Sequence, residues 1–349
     1  MTDVWNSYGP SAGRRHGVTQ RPQSVTVDVH SHVGVPAAAA IVEGHLDIST
    51  IPLARYGTPD TKALNRQQDA DRRSRMTQYD DRLKDMDAAG IDKQLIMCPP
   101  PQCYYTVKTD IAAKATRVVN DGLAEYVAGR PDRFTALGSV PLQDGHLAAA
   151  ELEYVMSLGM KGVQVLTNVA GKELSDPEFA PFWAKAEELG ALVLLHPNGF
   201  TEAERLSRFY FNNVIGNPLE TTIALHYLIF DGVMERHPKL KIFAVHGGGF
   251  AGAYWARMDH AWGARSDVKV IPLAPTTYLK RMYFDTVVFS VEQLEALVRM
   301  AGVDHVLMGT DYPYDMADSD PVGHVMASAL DDAAKAAICG GNAVKLLGL

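Results

Sequence analysis

Eight short aliphatic runs recur along the chain, and most are separated by a stretch with helical periodicity. They fall at Val25–His30, Lys93–Cys98, Phe134–Val140, Gly162–Leu166, Ala191–His196, Lys241–His246, Arg281–Thr286 and Asp304–Thr310. None alternates strictly between polar and apolar residues, as expected of strands buried on both faces. Between them, Thr77–Ala89, Asp110–Ala128, Leu147–Leu158, Pro177–Leu189, Glu220–Arg236 and Val291–Ala301 read as helices that stop at a glycine or short of a proline. This alternation, in a chain of 349 residues, predicts a single α/β domain built as a distorted (β/α)8 TIM barrel. A doubly wound sheet is the rival, but no GxGxxG follows the first strand. Residues 1–24 carry no apolar period and are expected to form a flexible extension, leaving 25–349 as the barrel. Two insertions, Val33–Met76 after the first strand and Pro197–Pro218 after the fifth, are expected as loops over the C-terminal face, where barrels build substrate specificity.

Composition removes several classes of partner. Lys+Arg 33 against Asp+Glu 41 gives a formal charge of -8. This balance offers no basic face for nucleic acid. No apolar run approaches the ~20 residues that span a bilayer. The first residues have no apolar core behind their arginines, so no signal peptide is read there. Cys98, Cys103 and Cys339 fit neither a disulfide framework nor a CxxC metal site. Together these predict a cytoplasmic protein with reduced thiols.

The chemistry gathers at strand ends. The first run finishes in His30-Ser31-His32, two imidazoles two residues apart and so on one face of a strand. The fifth finishes in His196, the sixth in His246 followed by three glycines, and the eighth leads into Asp311. Imidazole and carboxylate donors suit zinc or another divalent first-row ion, and an open set of three or four leaves room for water or substrate. Zinc would lower the pKa of bound water to ~7. Asp28 and Asp285 are candidates for orienting ligands or lining the pocket, each weighed evenly against an ordinary structural role.

These motifs, HSH, HP, HGGG and GTDYP, together with PDRF at 131–134, NPLETTIA at 217–224 and ERHPKLKI at 235–242, resemble the amidohydrolase superfamily. Within it they are similar to the decarboxylase branch typified by 2-amino-3-carboxymuconate-6-semialdehyde decarboxylase. The resemblance implies one divalent ion, zinc first and manganese second, held by His30, His32, His196 and Asp311. It implies that His246 acts in acid–base chemistry beside the ion, with Asp311 or His246 the acid that protonates the substrate. Arg257 matches an arginine that crosses a dimer interface to hold the substrate carboxylate, implying a homodimer or dimer of dimers. Glu220 and Thr221 match a motif lining the site, and Asn213 stands where relatives carry a tryptophan. Arg73, with Arg72 and Arg75 beside it, falls in the region of a second carboxylate-binding arginine. Binuclear relatives carry a lysine at the end of the fourth strand; here that end reads Val165-Leu166-Thr167, so a mononuclear site is expected. The implied activity is a cofactor-free decarboxylation of a small aromatic or dienoic carboxylate. The alternative is a hydrolase or hydratase working on an amide, lactone or unsaturated acid.

Overall fold

The computed structural model of the chain describes residues 16–349. Val27–His32 and Leu192–His196 are buried at every position, and Lys93–Met97 and Gly162–Leu166 nearly so. Such runs can only lie side by side inside a shell of helices. They do so in parallel, in the order of the sequence. Val27–His32 pairs with Lys93–Met97, which pairs with Phe134–Ala136. Gly138–Ser139 continues the third strand and pairs with Gly162–Leu166, followed by Leu192–His196, Lys241–Ala244, Tyr283–Asp285 and Val306–Leu307.

Two seams close the ring. Leu137, between the two halves of the third strand, donates its N–H to the Ile96 carbonyl at 2.9 Å. At the other seam Val29 N–H donates to Met308 O at 2.9 Å and His32 N–H to Tyr312 O at 2.8 Å. The expected barrel is present, with shorter strands than the sequence suggests in its sixth, seventh and eighth positions.

Side-chain parity sorts the core. Val27, Val29, Leu95, Met97, Leu137, Leu192, Leu194, Phe243, Val245 and Leu307 pack together inside the ring. Ala343 and Leu347 of the C-terminal helix Asn342–Leu347 join them. Their alternate neighbours, such as Ile96, Val163, Val165, Val193, Leu195, Ile242 and Ala244, pack outward against the helices. Helix Thr109–Gly129 extends the expected one by a residue at each end, and Val291–Ala301 falls where expected.

The Val33–Met76 insertion departs from expectation. It is a chain of short helices, with Pro36–Val42, Pro52–Arg55 and Pro59–Asp71 each opened by a proline in its first turn. That residue brings a preset φ and no unsatisfied N–H, so weakly periodic sequence still forms helix. Of the expected extension, residues 1–15 lie outside the described residues. Residues 16–24 run against the barrel: Arg21 bonds Thr26 and Asp92, and Ser24 donates to the Ala336 carbonyl.

Candidate metal centre

Five side chains converge at the C-terminal mouth of the barrel. His30, His196, His246 and Asp311 offer donor atoms all within 4.8 Å of one another, the one such group among the described residues. His32 lies outside that tight set yet meets the same carboxylate, its Nε2 at 3.1 Å from Asp311 Oδ1.

The strands deliver these residues in different ways. Leu192, Leu194 and His196 alternate inward, so His196 reaches the mouth by simple parity. On the first strand Val27 and Val29 already point inward, which by parity would leave His30 and His32 outside. A shift in pairing register between Asp28 and Ser31 corrects this, turning both imidazoles into the mouth. His246 and Asp311 are set beyond the ends of their strands in left-handed backbone, with φ of 54° and 68°. Non-glycine residues pay for that conformation, and it is retained where the surroundings over-determine it, often at functional sites.

The second nitrogen of each imidazole separates two kinds of histidine. His30 Nδ1 donates to Asp285 Oδ2 at 2.8 Å, His32 Nδ1 to the Cys98 carbonyl at 3.1 Å, and His196 Nδ1 to the Pro197 carbonyl at 2.6 Å. Each ring is thereby fixed with Nε2 toward the centre, the outer support typical of metal-bound histidine. The Nε2 atoms of His30 and His196 are buried without any hydrogen-bond partner, a costly state unless a cation takes them up. His246 has no such anchor. Its buried Nδ1 is unpartnered, its Nε2 lies 3.4 Å from Asp311 Oδ2, and its side chain keeps 15% of its surface in the cavity.

Charges follow the same logic. Burial alone would raise the Asp311 carboxyl, but His30 and the other imidazoles outweigh it and hold the carboxyl well below its usual range. Burial, reinforced by the neighbouring histidines, pushes His196 down to about 3, leaving a neutral ring. One carboxylate among imidazoles is a donor set for a single divalent ion. The fourth strand ends in Leu166 with no lysine there, and Lys161 sits before that strand's first residue, so nothing bridges a second ion.

The amidohydrolase family pattern matches residues 27–349. The chain belongs to this family. It is 33% identical to a 2-amino-3-carboxymuconate-6-semialdehyde decarboxylase of Dictyostelium discoideum over 77% of this chain and 76% of that one. A gamma-resorcylate decarboxylase of a Rhizobium species is 31% identical over 68% of this chain and 78% of its own length. The crystal structure of 5-carboxyvanillate decarboxylase from Novosphingobium aromaticivorans, complexed with manganese and 4-hydroxy-3-methoxy-5-nitrobenzoic acid, superposes with a TM-score of 0.83. The superposition covers 100% of both chains at 23% identity and shows the shared fold.

The remaining candidates in this amidohydrolase scatter. Asn213 lines a cavity of about 370 Å³ together with His246 and Asp311, beside Val288 and Phe289 from the seventh strand end. Arg73 is exposed and does not enter the site. Its neighbour Arg72 is buried instead, 4.6 Å over the Tyr314 ring, which in turn lies 5.1 Å from His32. Arg72 pairs with Asp69 but leaves Nη1 buried and unpartnered. The two positions follow one another at a break between helices, so periodicity had no means of choosing between them. Arg257 is exposed on helix Ala251–Ala264 and does not line the cavity within its own chain. Glu220 is buried away from the imidazoles: it accepts from Thr201 N–H and Oγ1 and from Asn168 Nδ2, tying two loops together. Thr221 is wholly buried and bonds back to the Asn217 carbonyl.

Asp28 does not orient an imidazole. It accepts from the backbone of His30 and Thr310 and from the side chains of Thr310 and Gln94. Asp285 takes the role for which both were candidates, and its other oxygen accepts from Gly247 N–H at 2.8 Å. One carboxylate thus fixes both His30 and the turn that carries His246. Its place at the end of the seventh strand was the only signal the sequence offered.

Proposed function

We propose that this amidohydrolase is a metal-dependent decarboxylase of a small aromatic or dienoic carboxylate. The observation that carries it is the split among the histidines: three anchored rings facing a buried carboxylate, and one unanchored ring at the cavity wall. His30, His32, His196 and Asp311 hold one ion, zinc in the first place and manganese as the alternative these donors accept. The decarboxylases among its relatives support the reaction class.

A bound divalent ion supplies Lewis-acid stabilisation of the substrate's carboxylate and its adjacent oxygen. Asp311 Oδ2 and His246 Nε2, 3.4 Å apart, share the proton that is delivered to the carbon bearing the carboxylate. The electron pair of the carbon–carbon bond then returns to the ring or diene as carbon dioxide leaves. Arg72, rather than Arg73, offers its free Nη1 to the substrate's negative charge. Arg257 faces outward, which accords with a second subunit receiving it and hence with a homodimer. No helix among the described residues is long and apolar enough to cross a membrane, and all three cysteines are free and buried, which supports a cytoplasmic setting.

The reaction is tested by carbon dioxide release from metal-loaded protein over hydroxybenzoates, aminobenzoates and carboxymuconate-type acids. Release that a chelator stops and metal restores is the expected result. Silence across the panel from protein holding one ion per chain transfers the reading to hydrolysis or hydration. The residue roles are tested together. His32→Ala is expected to lose metal and turnover, whereas His246→Ala keeps its metal by elemental analysis and loses about 10²–10⁴-fold in rate.

A further inference from the structure

Helix Tyr79–Ala89 buries Arg82, Asp85, Met86 and Ala89, the spacing of a core-facing stripe. Arg82 heads that stripe at 0% exposure and makes no ion pair with a carboxylate among the described residues. Asp85, one turn further along, does not neutralise it. Its Oδ2 accepts instead from Arg75 Nε at 2.7 Å and from the Tyr312 hydroxyl at 2.8 Å. A buried cation without a counter-charge is costly, and an apolar side chain of similar volume would pack there at less cost. An apolar side chain could not hold several oxygen acceptors in one plane, which a guanidinium does.

The donors of Arg82 run to three residues. Nη2 donates to the His32 carbonyl and, at 2.9 Å, to that of Arg75, which also accepts from Nε at 3.2 Å. Nη1 donates to Gln94 Oε1 at 2.9 Å. Gln94 in turn donates from Nε2 to Asp28 Oδ2 at 2.9 Å, and Asp28 Oδ1 accepts from His30 N–H at 3.0 Å. The stretch that carries both imidazoles is thus gripped twice, at the His30 N–H and at the His32 carbonyl. Between the grips lies the shift in register, where Asp28 stands opposite Gln94 but Ser31 opposite Ile96. The guanidinium also lies 4.6 Å over the Tyr312 ring. Tyr312 follows Asp311, and its carbonyl accepts from His32 N–H at 2.8 Å. One side chain therefore touches both segments whose side chains meet at His32 Nε2 and Asp311 Oδ1.

We propose that Arg82 is a positioning residue of the metal centre. Its guanidinium holds the displaced register of the first strand and so sets His32 against Asp311, without touching ion or substrate. The proposal rests on the metal-site reading of these ligands and adds the buried cation that aims them.

The test is cobalt(II) titration of the metal-free protein as wild type, Arg82→Met, Arg82→Lys and Gln94→Leu. Visible absorption reads the coordination geometry, chelator competition the affinity, and urea unfolding of the metal-free forms the stability. Arg82→Met is expected to bind cobalt about 10–100-fold more weakly, with an altered band. The sign is informative, because a nearby positive charge acting by repulsion alone would make its removal strengthen binding. Arg82→Lys keeps the charge but not the fork, and is expected to lose a similar factor. Gln94→Leu cuts the link to Asp28 while sparing the bond to His32, so a smaller, severalfold loss is expected. A role in packing alone lowers the urea midpoint but leaves the band unchanged and the affinity within about twofold of wild type. That result in Arg82→Met, or in the other two variants if the methionine variant does not fold, overturns the proposal, and so does tighter binding. Wild type that takes up no cobalt overturns the metal-site reading itself, and the proposal falls with it.

Discussion

Three of the five convergent side chains owe their usefulness to an atom that does not face the site. His30, His32 and His196 are each held by Nδ1, to a carboxylate in the first case and to backbone carbonyls in the other two. Asp285 is the most exposed to test, because it is a side chain and can be changed without moving a ligand. Asp285→Asn removes the charge that fixes His30 and is expected to weaken metal binding about 10–100-fold, read by competition with a chromogenic chelator. An affinity within twofold of wild type would show that His30 is oriented by packing alone. The same residue accepts from Gly247 N–H, so its loss should reach His246 too, lowering turnover at saturating metal.

Among the elements, the first and eighth strands carry the most function on the least regular backbone. Their seam is held by Asp28, which gathers the N–H groups of His30 and Thr310, the Thr310 hydroxyl and the Gln94 amide at full burial. Burial raises its carboxyl to about 6, against the pull of those donors. Replacing Asp28 by Ala strands several buried donors at once and should cost about 3 kcal/mol or more in urea unfolding. A cost under ~1 kcal/mol would mean that water or a shifted strand replaces those bonds. The sixth strand solves a similar problem with a turn. After inward-facing Val245 the chain passes through left-handed His246 and three glycines with positive φ before helix Ala251–Ala264 begins. At Gly249 a Cβ would press on the Pro218 carbonyl, so this approach of the turn to the NPLETT helix needs glycine.

At the scale of the whole molecule, the donors come from three different strand ends, the first, fifth and eighth, and an ion binding them clamps the ring against opening. A ligand that binds only the folded chain at about 1,000 times its Kd adds about 4 kcal/mol of stability. Removing the metal with a chelator should therefore lower the melting temperature by several degrees, and restoring it should return the loss. His32→Ala should melt like the chelated wild type, and adding metal should not shift it. The sequence by itself determined a good deal of this: eight buried runs and their order, the inward parity that carries His196 to the mouth, and a fourth strand end without lysine. Those are local properties, set by spacing and by what a buried strand tolerates. The tertiary structure alone decided the rest. A register shift inside Val27–His32 turned the HxH pair inward, left-handed backbone re-aimed His246, and a break between helices buried Arg72 and left Arg73 in solvent. Each outcome depends on which backbone groups a neighbouring strand or turn can satisfy, and that is fixed only when the ring closes.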